Sequence, residues 1–209
     1  LALQVYTRGT FPEDWAMTEG NLGNAFRERL RGERAENLEK AITAYEFALQ
    51  VYTRHAFPEK WAMTQNNLGI ALRNRIRGEQ SENLENAIAT KELALQVYTR
   101  ETFPESWAMT ESRLGVALCQ RVRGEQSENL ERAIIAFDLA LKVYTRQDFP
   151  AKWAETQCNL AGALIQRAAL KENLIDLDTA ITLLQSALEV SEPDSSSFIS
   201  VQYHLGNAL

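Results

Sequence analysis

Phe57-Pro58-Glu59-Lys60-Trp61-Ala62-Met63-Thr64-Gln65-Asn66-Asn67-Leu68-Gly69 is one copy of a stretch that the chain writes four times. Phe-Pro, followed two residues later by Trp-Ala, stands at Phe11, Phe57, Phe103 and Phe149, 46 residues apart each time. Val-Tyr-Thr-Arg ends at Arg8, Arg54, Arg100 and Arg146 with the same interval, and residues 11–56 match residues 57–102 at 30 of 46 positions. A period of this length marks a supersecondary unit stacked on copies of itself, because a lone unit cannot bury its apolar face.

Working outward from the motif, each unit reads as two helices. Pro12 suits a first helical position and Glu13 complements the dipole there. Trp15, Met17 or Thr18, Leu22, Ala25 and Phe26 then follow at three-to-four spacing. Arg29 and Arg31 suit a last turn, and Gly32 a left-handed stop. A second helix is expected from Ala35-Glu36-Asn37-Leu38-Glu39, with Ser81 and Ser127 as N-caps in later copies. Leu38, Ala41, Ile42, Tyr45, Ala48, Leu49 and Tyr52 share one of its faces. At roughly 20 residues per helix, each spans about 30 Å. The expected fold is an all-α, right-handed solenoid of antiparallel helix pairs. It forms one array over 1–209: a partial helix at 1–8, units at 11–56, 57–102, 103–148 and 149–192, and a partial unit at 195–209. The pattern is already under way at Leu1, so a piece of a longer protein is expected.

The repeat unit resembles the tetratricopeptide repeat, whose first helix carries Leu-Gly and a bulky residue and whose second carries Ala-x3-aromatic-x2-Ala. Here these are Leu22-Gly23 with Phe26 and Ala41, Tyr45, Ala48; then Leu68-Gly69, Leu72, Ala87, Ala94; then Leu114-Gly115, Leu118, Ala133, Phe137, Ala140. The period is 46, longer than that family's 34; Trp15 falls four residues early, and Lys91 replaces one aromatic. Long units of this kind are similar to those of multidomain bacterial proteins, cyanobacterial ones especially, where they flank caspase-like protease or NTPase domains. The resemblance implies a superhelical scaffold with a concave groove lined by first helices.

Composition narrows the functions. The 209 residues carry 22 basic and 28 acidic side chains, a net charge of −6 and a pI near 5.1, which argues against non-specific nucleic-acid binding. Mean hydropathy is −0.32 and no apolar run nears the ~18 residues of a membrane span. Cys119 and Cys158 read as reduced thiols, which suits a cytoplasmic protein. No phosphate-binding glycine loop, metal-ligand spacing or nucleophile–base pair is evident, so no cofactor, metal or catalysis is expected. The Trp15, Trp61, Trp107 and Trp153 series, with Tyr52, Tyr98 and Tyr144, reads as packing between units because it recurs unchanged. The Arg-x-Arg pairs (Arg29, Arg31; Arg75, Arg77; Arg121, Arg123) read as helix-end charges and exposed ion pairs.

The differences between copies carry the functional reading. In first helices they fall at Gly20, Asn66, Ser112 and Cys158; at Asn24, Ile70, Val116 and Gly162; and at Arg27, Arg73, Cys119 and Ile165. These are i, i+4 and i+7, one helical stripe. The resemblance sets that stripe on the groove, whose expected lining is Asn24, Arg27, Asn66, Asn67, Ile70, Arg73, Arg113 and Val116. Neutral drift on an undemanding surface is the alternative. A sub-family that clamps a peptide carboxylate is matched by Asn24, Asn67 and Arg113, but Gly20 and Met109 stand where it has lysines. The expected function is a scaffold holding a peptide or helix of a protein partner. A regulatory arm of an effector enzyme outside this chain, and a self-assembling array, are the alternatives. The expected state is a monomer or a weak end-to-end dimer.

Overall fold

A computed structural model describes residues 5–190, together with Gly206. The rest of the expected partial elements, at 1–4 and 195–209, and the end of the fourth unit at 191–192, lie outside the described residues. Among the described residues eight helices have defined bounds and there is no strand: α1 (Pro12–Glu28), α2 (Arg34–Leu49), α3 (Pro58–Arg73), α4 (Gln80–Leu95), α5 (Pro104–Cys119), α6 (Gln126–Leu141), α7 (Pro150–Lys171) and α8 (Leu174–Leu188). Consecutive helices pair as hairpins, α1 with α2, α3 with α4, α5 with α6 and α7 with α8. The expected all-α architecture of repeated helix pairs is thus the one the chain adopts.

Contacts divide the chain after Thr99 into two compact units. In the first, the hairpin α1–α2 stacks on α3–α4 through α2 and α3. Ala41, Ile42 and Tyr45 meet Leu68, Ala71 and Leu72, with Ala87 behind them. A second cluster joins Ala16, Ala48 and Tyr52 to half-buried Trp15, Phe57 and Trp61. The second unit repeats it: Ala108, Ala140 and Tyr144 hold Trp107, Phe149 and Trp153. The tryptophans therefore pack as expected, but only partly buried. The tyrosines are the buried members, at 3% exposure for Tyr52 and Tyr144.

Each first helix starts as the motif predicts, with Phe as N-cap, its carbonyl accepting the first helical bond (Trp61 N to Phe57 O, 2.8 Å), and proline in the first turn. The inner turn differs from expectation. α1 ends at Glu28, so Arg29 is its C-cap and Arg31 lies in the turn. α4 and α6 start at Gln80 and Gln126 with Glu79 and Glu125 as N-caps, which places Ser81 and Ser127 inside the helices. The second helices are held by another residue. Buried Asn37, Asn83 and Asn129 donate Nδ2 to the carbonyls of Arg31, Arg77 and Arg123 at 3.0, 2.8 and 2.9 Å. Gly32, Gly78 and Gly124, one residue on, take φ of 84°, 79° and 79°, where a side chain is strained. The helices run for 15–17 residues rather than 20, except α7. There Ala169-Leu170-Lys171 replaces the glycine turn, the helix runs for 22 residues, and Glu172 takes a left-handed cap at φ 52°.

Candidate functional site

Leu-Gly brings the helices of the first three hairpins together. A Cβ on Gly23 would lie 2.5 Å from the Tyr45 ring, and one on Gly115 2.7 Å from the Phe137 ring. That closeness lets second-helix side chains reach the first-helix stripe. Tyr45 Oη donates to Asn24 Oδ1 at 2.8 Å, and the Arg27 charge acts on the same hydroxyl. Burial raises the Tyr45 pKa above that of an ordinary phenol, the Arg27 charge opposing it in second place. In the next hairpin fully buried Lys91 takes the aromatic's place, and its Nζ donates to Asn66 Oδ1 and O at 3.3 and 3.4 Å.

The eight expected groove residues therefore separate. Asn24 and Asn67 come together in a recess of ≈ 200 Å³ between α1 and α3, with Gly20, Met17, Met63 and Lys60 around them. Asn66, at 2% exposure, faces the hairpin interior and is not part of this lining, because Lys91 engages it. Arg27 pairs through Nη2 with Glu28, 3.0 Å away, while its buried Nε has no hydrogen-bond partner among the described residues. Ile70 and Arg73 are half-buried and share the Asn66 stripe, away from the recess. Among the described residues the Arg73 guanidinium has no hydrogen bond or carboxylate partner, and burial lowers its pKa from the ordinary arginine value. In the second unit Arg113 lines a recess of ≈ 130 Å³ with Met109, Ser112, Lys152 and Glu155, whereas half-buried Val116 stays outside it.

The two recesses occupy the same place in the repeat: Met17, Gly20, Tyr52, Lys60, Met63 and Thr64 recur 92 positions later as Met109, Ser112, Tyr144, Lys152, Glu155 and Thr156. Lys60 pairs with Glu13 and lies 5.5 Å from the Tyr52 ring centre; Lys152 pairs with Glu105 and lies 5.3 Å from that of Tyr144. These lysines were not among the expected site residues. Their signal in the sequence is an alternation two residues past Phe-Pro-Glu or Phe-Pro-Ala's proline: Asp14, Lys60, Ser106, Lys152.

Other candidates resolve into structure. Arg75 donates Nε and Nη2 to Glu39 at 2.8 Å each, fork to fork between the hairpins of the first unit, as an ion pair rather than a free cation. Burial pushes the Cys119 thiol up to about 11, away from the thiolate, and Cys158 is buried. Among the described residues no three His, Cys, Asp or Glu side chains gather as metal ligands, and no helix is long and apolar enough to cross a membrane. No model of a known protein family matches the chain, and neither does any curated protein.

Proposed function

We propose that this chain is a protein-interaction module that holds an extended segment of a partner against its first helices. The observation that carries the reading is in the first unit. Asn24 and Asn67 line the recess, and among the described residues Asn24 Nδ2 and both ends of the Asn67 amide have no hydrogen-bond partner. A carboxamide both donates and accepts, which matches the alternating N–H and C=O of an extended main chain. The tetratricopeptide-like Leu-Gly and Ala-x3-aromatic pattern supports the same reading. The half-buried Arg73 guanidinium adds a cation suited to a partner carboxylate. No catalytic step is assigned, and the cytoplasmic setting belongs to this proposal.

The test is selection from a phage-displayed random dodecapeptide library on the whole chain. Enriched peptides are expected to lose about tenfold or more in affinity with Asn24→Ala plus Asn67→Ala, as two neutral hydrogen bonds imply, with far-UV helicity unchanged. Enrichment indifferent to both asparagines, or no enrichment, would overturn the reading.

A further inference from the structure

Gly20 stands in the middle of α1, where glycine weakens a helix. At Gly23 and Gly115 the absence of a side chain is forced by rings that a Cβ would strike, and at Gly69 by Thr90 Oγ1. At Gly20 nothing lies within 4 Å of the Cβ position, and the other copies carry Asn66, Ser112 and Cys158 there. Helix packing gives no reason for this glycine. Its effect is to leave the α1 wall of the first unit's recess open.

What surrounds the opening is apolar and adaptable. Met17 and Met63, 48% and 49% exposed, flank it, and Tyr52 lies behind them. Unbranched thioether side chains re-pack around apolar groups of different shape. The lining has one charged side chain, Lys60, whose charge the Glu13 ion pair balances. At ≈ 200 Å³ the recess is smaller than the ~300 Å³ at which small-molecule sites begin. The second unit's recess, with Glu155 in place of Met63 and Arg113 in place of Asn21, is a charged site instead.

We propose that the first unit's recess takes one large apolar side chain, leucine or phenylalanine, from an extended partner segment. The side chain enters over Gly20 between the two methionines, while Asn24 and Asn67 hold the main chain on either side. This rests on the interaction reading above but adds what that reading leaves open, the chemistry of the anchor.

The three methionines of the chain are its own reporters: Met17 and Met63 border this recess and Met109 the other. Methyl-¹³C methionine spectra of the whole chain would be titrated with N-acetyl-phenylalanine N-methylamide and N-acetyl-leucine N-methylamide, with the lysine analogue as control. The apolar probes are expected to move the Met17 and Met63 signals and leave Met109 in place. Gly20→Leu fills the opening from within and should weaken the response about tenfold with helicity retained. Met63→Glu, which carries over the second unit's residue, gives an independent variant with Met17 as reporter. No movement, equal movement of all three signals, or an equal response to the lysine analogue would overturn the proposal. So would signals that move on dilution without probe, which would assign the recess to a second copy of the chain. Library peptides that bind through Asn24 and Asn67 while Met17 and Met63 stay still would remove the apolar anchor and leave the interaction reading standing.

Discussion

Two kinds of glycine occupy the first helices, and they should respond to the same substitution with opposite signs. Gly20→Ala adds a methyl into open space and removes a helix-interior glycine, so it should raise stability by ~0.5–1 kcal/mol. Gly115→Ala drives a methyl to within 2.7 Å of the Phe137 ring and should lower stability by ~1–3 kcal/mol. Urea midpoints of the two variants check both, and a stabilised Gly115→Ala would show that the hairpin can open to accept it. Leu-Gly as a close-approach position was readable in the sequence, because a bulky residue recurs at fixed distance on the facing helix. Gly20 was readable only as a variable position. The same limit misplaced Asn66: helical periodicity gives a residue its direction around the axis, not what reaches it from the neighbouring helix. Lys91 reaches it, and the side chain is buried. Part of the variation along the stripe is therefore internal matching, Asn24 with Tyr45 and Asn66 with Lys91, rather than fit to a ligand.

At the scale of elements, the sequence located all four proline-led helix starts, since a proline with its fixed φ acts locally. It misjudged the inner turn because that turn is held from a distance. Asn83 reaches back six residues to the Arg77 carbonyl, across Gly78, and propensity alone assigns such an asparagine to the helix start. With the turn bound, the first helix of the hairpin stops early; where the glycine turn is missing, α7 continues for 22 residues. Asn83→Ala leaves the Arg77 carbonyl without this donor and a buried space beside it. It should cost ~1–3 kcal/mol in urea unfolding while circular dichroism of the folded protein stays the same. A neutral Asn83→Ala would mean that solvent satisfies the turn and that Gly78 alone sets its shape.

At the scale of the whole chain, the ionisable groups oppose one another in their pH response. Glu39 is held below the usual carboxylate range by its hydrogen bonds from Arg75, and Asp176 by those from Arg167 at 2.7 and 2.8 Å. A lowered folded pKa contributes stability that is present above the unfolded value and lost as pH falls through the folded one. Glu111, at 8% exposure on α5, behaves in the opposite sense: burial pushes its carboxyl up to about 7, and burial raises Glu19 as well. A raised folded pKa contributes stability that is complete below the ordinary value of 4.5 and lost as pH rises through about 7. Stability should therefore rise from pH ~8.5 to ~6, then fall below pH ~4 as the two ion pairs are protonated. Glu111→Gln, which cannot ionise, should gain ~1–3 kcal/mol at pH ~8.5 and little at pH ~4. Urea midpoints at the three pH values, for both proteins, decide it. A wild-type midpoint that does not change between pH ~8.5 and ~6, with Glu111→Gln equally flat, would show that the Glu111 carboxylate ionises in the folded chain at no cost.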